Sequence, residues 1–360
     1  MDDVTSLPVA ALVAPISDSR PCGDDLRADV SPFSLYYQLR DQRSRARAAE
    51  RQALVEEGSI ATCTSEWRPL LERIPPLLTS HSKDLELVAW LIEALCRVDG
   101  FAGLEQGFTL AAGLIEEHWP HLYPQAEDGD LDVRLAPLVG LNGTDSEGAL
   151  IVPITSIALT AGQEGPFSTW QLEQASDIAR LDEKRQKARL QHGGQTLKVI
   201  QQDAQETPAA FFAARARELS GAQQAFARLS AAMDSACGSP QPASQISQAL
   251  ERCLSALRFL GGDKLRLAEP LTTVAGEEST AGDEDTSHSA ELDDRQQALR
   301  QLQAIARFFR RTEPHSPISY VIDQAVRWSD LPLPQLLAEL ISDKDARKGY
   351  CRLTGIPLDE

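Results

Sequence analysis

No stretch of this 360-residue chain approaches the ~20 consecutive apolar positions that cross a bilayer, so direct membrane insertion is not expected. A secretory leader is not expected either. Met1-Asp2-Asp3 carries acids where such a leader needs positive charge, and Pro8 and Pro15 break the apolar stretch that follows. The reading is therefore a cytoplasmic protein. The six cysteines, at 22, 63, 96, 237, 253 and 351, form no C-x-x-C pair, which argues against a zinc knuckle or a disulfide framework. Cys237 and Cys253 fall on apolar helix faces, as small core residues do.

Nucleotide-binding signatures are missing too. Neither G-x-x-x-x-G-K-[ST] nor G-x-G-x-x-G occurs, and Gly261-Gly262-Asp263-Lys264 lacks the spacing and the preceding strand of a phosphate cradle. His118 and His121 lie beside Glu116 and Glu117, but Trp119-Pro120 between them breaks the helix that would hold a metal, so an aromatic corner is favoured. Asp128, Asp130 and Asp132 alternate as in a calcium loop. Glycine falls at the second position, however, and no glutamate closes the loop, so a solvated acidic loop is expected. No nucleophile is paired with a histidine that the sequence can place. The expectation is a non-enzymatic protein with no cofactor and no metal.

Base is scarce in two places. Residues 101–150 hold nine acids and one base, and residues 269–294 hold nine acids and none, which accounts for nearly all of the net charge of −18. With the rest balanced there is no concentrated basic surface, and nucleic acid is not an expected partner. Arg43, Arg47 and Arg51 share a helix face at i, i+4, i+8. A phosphate-binding stripe is one reading, and a solvated face with local ion pairs is the favoured one.

What is present is helical periodicity, which predicts an all-α fold. Over residues 1–145 a long helix follows Pro32. A second runs through Trp67, Leu70, Leu71, Ile74 and Leu78, bent or interrupted at Pro75-Pro76. A third, capped by Ser82, carries Leu85, Val88, Ala89, Ile92 and Leu95 to a turn at Gly100 and Gly103. A fourth, through Phe108, Ala111, Ala112 and Ile115, stops at Trp119–Pro124. A Gly/Pro-rich connection follows, in which Ile151-Val152-Pro153-Ile154 reads as a short extended segment. Residues 146–267 then form a middle bundle. Ser168 and Gln171 make a capping box, Thr207-Pro208 opens a helix that Gly238 ends, and a further stripe from Ile246 to Leu260 precedes Gly261-Gly262. Residues 268–291, acidic and without apolar periodicity, read as a disordered linker.

The remaining residues, 292–360, are short for an independent core, so self-association is expected to supply the missing burial. Their centre is a helical hairpin. Phe308, Phe309, Arg310 and Arg311 end one helix, Pro314 and His315 form the turn, and Ser316 caps a second helix carrying Tyr320 and Trp328. These are the candidate oligomer or partner residues.

Several separated motifs, in order, resemble the TssA family of bacterial type VI secretion systems, whose N-terminal region is the ImpA-type domain. They are Pro21-Cys22-Gly23-Asp24-Asp25-Leu26-Arg27, Lys83-Asp84-Leu85 with Trp90, Gly100-Phe101, Trp119 through Pro124, and Arg134-Leu135-Ala136-Pro137-Leu138. The resemblance is strong over roughly the first 140 residues. Arg310 to Pro317 with Tyr320 and Trp328 resembles the end of the shorter members. It implies an assembly factor for a contractile injection machine, forming ring-like homo-oligomers and contacting baseplate, sheath, tube or membrane-complex components. It implies no catalytic residue. Pro21, Gly23, Asp25, Leu26, Asp84, Trp90, Gly100, Phe101, Trp119 and Pro124 are carried over as structural or interface positions. A helical adaptor or chaperone for a secreted effector is the alternative.

Overall fold

The computed structural model describes residues 7–31, 33–56, 60–125, 131–191 and 194–268, and beyond them 302, 306–307, 310, 318–329, 331, 335–337 and 343. The chain divides into two compact units, Met1–Thr272 and Thr273–Glu360. Among the described residues there is no strand, only three isolated bridges, and the fold is all-α.

The first unit is built around α4 (Leu85–His118), in which Gly100 (φ 62°, ψ −133°) breaks the helical path. The break is a hairpin turn. A Cβ on Gly103 would lie 2.4 Å from Leu95 O and one on Gly107 would lie 2.8 Å from Ile92 Cγ1, so the arms 85–99 and 101–118 run back along each other at backbone contact. Both arms are apolar on nearly every side and almost wholly buried, as a helix enclosed by others must be.

Three longer helices enclose them. α2 (Leu35–Glu56) runs parallel to the first arm, tied by Tyr36 Oη donating to Glu86 Oε2 (2.8 Å), by Arg43–Glu93, and by Arg97–Glu50. α3 (Thr64–Ser80) buries Trp67, whose Nε1 donates to Glu50 Oε1 at 2.9 Å. The long helix Ala209–Cys237 follows the second arm, with Phe226 against Phe108 and Arg228 paired to Glu116. It ends where predicted, at Gly238 in the left-handed region (φ 68°, ψ 13°), and the helix Ser244–Ala268 returns beside it.

Four expectations are corrected. α3 is continuous through Pro69, Pro75 and Pro76. Each interior proline costs on the order of 3 kcal/mol, but Trp67, Leu70, Leu71, Ile74, Leu77 and Leu78 are all buried on one face, at roughly 1.5–3 kcal/mol each. Burial wins. Residues Ile151–Thr155 are a short helix rather than an extended segment; Leu150 supplies the carbonyl that Ile154 N bonds at 2.9 Å. The helix after residue 82 is capped by Asp84, whose side chain accepts from Glu86 N, and not by Ser82. Finally, the arginine face of α2 is solvated at Arg51 but half-buried at Arg43 and Arg47, and Arg43 pairs with Glu93 of the first arm. One apolar core, from Leu7 to Leu260, runs across residue 145.

Candidate interaction sites

Most of the N-terminal motif residues meet at the base of the α4 hairpin. The loop before α2 crosses the start of the first arm. Asp24 N donates to His81 O (3.0 Å) and Lys83 N to Cys22 O (2.9 Å), while Leu85 N donates to Tyr123 O (2.8 Å) and Tyr123 N to Lys83 O (3.1 Å). Gly23 sits in this crossing at φ 69°, with the position of a Cβ only 2.0 Å from His81 O. Pro21 O accepts from Ile16 N, closing the turn ahead of it.

Charge is buried at the same place. Arg27 grips Asp84 through both guanidinium nitrogens (2.6 and 3.1 Å) and also reaches Glu86 (2.6 Å), while Asp25 accepts from the Arg27 backbone and side chain. Asp84 is fully enclosed. Burial works against the Arg27 charge, but the bonds to Asp84 and Glu86 outweigh it and hold its pKa above the ordinary value. Arg27 also stacks over Tyr36, which lies against Trp90. Leu26 packs half-buried on the core.

Lys83 is buried as well; its Nζ donates to a backbone carbonyl, Leu12 O, at 2.6 Å, and burial lowers its pKa. His118 Nε2 donates to Val13 O at 2.7 Å, so two side chains hold the carbonyl end of α1 (Val9–Val13). His118 is thus a packed residue of the corner. Arg134 completes that corner, donating to Trp119 O (2.5 Å) and Pro124 O (3.4 Å) with its guanidinium over the Trp119 ring. No cluster able to hold a metal occurs among the described residues. The aspartates 128 and 130 lie outside them.

Gly100 and Phe101 sit at the opposite end, the hairpin tip. Phe101 is fully buried. Gly100 lines a cleft of about 480 Å³ walled by Pro153, Ile157 and Leu54, with Trp170 at its lip, 38% exposed. Arg215 enters it from the helix Ala209–Cys237. Its Nη1 donates to Glu218 (2.8 Å), but its buried Nε has no hydrogen-bond acceptor, an arrangement that costs on the order of 1–3 kcal/mol. Burial raises the pKa of Glu218. Sequence reasoning missed this cleft because its walls come from four separated segments, with only the glycine at 100 as a signal.

In the second unit, Ile318–Ser329 is a helix, as its stripe predicted. Val326 is buried, whereas Tyr320 and Val321 are 63% and 64% exposed and Trp328 is half-buried. Arg310 pairs with Asp323 and lies over the Tyr320 ring. Pro314, His315 and Ser316 and the side chains of Phe308, Phe309 and Arg311 fall outside the described residues.

The sequence signature described as "ImpA, N-terminal, type VI secretion system" matches residues 13–143. The type VI secretion system component TssA1 of Pseudomonas aeruginosa is 26% identical over 353 residues, covering 94% of this chain and 96% of that protein. Among solved structures, an N-terminal domain of the TssA component of Burkholderia cenocepacia, including its ImpA_N region, superposes with a TM-score of 0.61. The two are 25% identical, and the match covers 74% of this chain and 98% of that one.

Proposed function

We propose that this chain, whose residues 13–143 match the ImpA-type N-terminal domain, is a TssA-type, non-enzymatic assembly component of a type VI secretion system. It acts in the cytoplasm as a homo-oligomeric scaffold that engages baseplate, sheath, tube or membrane-complex subunits. The observation that carries this reading is the likeness to TssA1 along nearly the whole of both chains, which takes in the C-terminal unit as well as the ImpA-type domain. The physical layout supports it. In the first unit Asp84, Glu93 and Lys83 are buried and held in internal bonds, the first two by the half-buried Arg27 and Arg43. The second unit presents Tyr320 and Val321 to solvent from a strongly one-sided helix, the surface a second copy would cover. The acidic stretch 268–291 is proposed as the linker between them. A ring would multiply weak contacts of the first unit without new chemistry.

The test is mass photometry of the full chain beside its Tyr320→Asp and Val321→Asp variants, with co-purification from cells that carry the secretion system. A defined high-order assembly, lost in the variants, and recovery of tail or membrane-complex subunits are expected. A monomeric wild type, or stoichiometric capture of one effector in place of machine subunits, would replace this reading with the adaptor one.

A further inference from the structure

The helix Ser244–Ala268 bends before it ends. Gly262 stands inside it at φ 41°, ψ −125°, in the positive-φ region that favours glycine, and the path is helical again from Asp263. Sharp kinks have identifiable causes. Glycine permits this one and Lys264 holds it: the lysine Nζ donates to Ala204 O (3.0 Å), Gln205 O (2.6 Å) and Thr207 O (2.7 Å). These carbonyls lie at the end of the helix Leu197–Glu206. The last carbonyls of a helix lack partners within it and form its negative pole, so an ammonium group is favoured there. All three donors of the lysine are used.

Nothing packs on the pivot itself. A Cβ at Gly262 would meet no atom within 4 Å, and Gly262 and Asp263 are exposed, while Leu265 is half-buried against the core. Helical dihedrals, about −63° and −42°, lie roughly 100° and 80° from those that Gly262 holds. Adopting them would run the helix straight on and carry Lys264, just past the pivot, off the carbonyls. The sequence Asp263-Lys264-Leu265-Arg266-Leu267-Ala268 contains no helix breaker. Both positions are therefore open to the backbone, and the lysine decides between them.

We infer that Gly262 is a joint with two positions and that Lys264 is the latch holding it bent, so that one side chain sets the direction in which the backbone leaves the helix Ser244–Ala268. A single glycine that absorbs a large φ/ψ change is the usual construction of a hinge. The bent position lays the last residues of the helix against the end of Leu197–Glu206, and the straight one extends them away from it. The joint stands whether or not the chain assembles.

Pulsed electron–electron double resonance tests this on the full-length chain, with nitroxides carried by unnatural amino acids at positions 198 and 266 and labelled copies diluted in excess unlabelled chain. One narrow distance is expected with Lys264 and Gly262 in place. Residues 263–268 span about 9 Å at ~1.5 Å per residue, so release should add a second distance longer by roughly 5–10 Å. Lys264→Met keeps the stem and loses the donors, and Gly262→Ala disfavours the positive φ; both should populate that same longer distance and deplete the first. Unchanged distances in both variants, different second distances in the two, or a broad spread in place of a second position overturn the inference. So does a broad distribution with both residues in place. Thermal melting checks that each variant keeps its fold, and if Lys264→Met does not, Gly262→Ala decides by the same outcomes.

Discussion

At Gly23 two demands coincide, a positive φ and a backbone carbonyl where any Cβ would have to go. Gly238 has nearly the same φ but open space around it. Gly238→Ala should therefore cost only the left-handed penalty, roughly 1–2 kcal/mol, whereas Gly23→Ala must displace the crossing with residues 81–83 and should cost more than about 4 kcal/mol. Chemical denaturation of both variants measures the contrast, and equal losses would contradict it. At Arg27 the loss is electrostatic. Arg27→Ala leaves Asp84 enclosed and stripped of its cation, at about 3–5 kcal/mol. Tyr36 carries a pH dependence: burial, with Glu86 behind it, pushes its phenol up to about 12. An unfolded tyrosine ionises near ~10, so the folded state keeps this proton where the unfolded state loses it. The stability it contributes is intact below about pH 10 and is lost as the pH rises toward 12. Burial raises the Tyr123 phenol as well, so ultraviolet titration should show more than one delayed phenol, with the component near 12 removed by Tyr36→Phe; titration of Tyr36 near ~10 in the folded protein would refute this.

At the scale of the element, α4 shows what a single residue can decide. Two apolar helices of this length, fused, would be a rod. Gly100 at φ 62°, ψ −133° folds them into a hairpin, and Gly103 and Gly107 let the arms touch. Gly100→Ala should cost on the order of 1–3 kcal/mol from backbone strain. It should also narrow the cleft, since the added methyl meets Ile157 and Arg215 at 3.3 and 3.4 Å; Trp170 fluorescence and thermal melting report the two effects. The turn was legible at Gly100, because glycine between two apolar stripes has few other uses, but Gly103, expected to share it, is a helical residue of the second arm that lets the arms approach. The continuity of α3 was not legible. Local propensity sees three prolines, and only the burial of six side chains against α4, α2 and α1 outweighs them. The same holds for the cap, where Ser82 suits the local pattern but Asp84 is the residue that Arg27 holds in place.

Across the whole molecule, buried thiols offer a simple check on packing. Burial pushes Cys22 up to about 11 and Cys96 and Cys253 up to about 12. At pH 8 these three should resist a thiol reagent in the native protein and react once it is unfolded. Fast native labelling of all six cysteines would mean the core is not closed as described. Periodicity, caps and turn residues were local facts, so the all-α class, the two arms of α4, the helices that open at Ser168 and at Thr207-Pro208, the stripe from Ile246 to Leu260 and the stop at Gly238 could be read from the chain alone. So could the likeness to TssA, which depends on the order of motifs and not on their meeting. Only the tertiary structure decided that most of those motifs converge on one buried charge cluster while Gly100 belongs to a separate cleft, and that Arg43 and Arg47 of α2 lie half-buried. Such facts rest on which distant segments share a low-dielectric interior, where an ion pair or an unmet donor carries a weight that it lacks in water, and no local pattern encodes that.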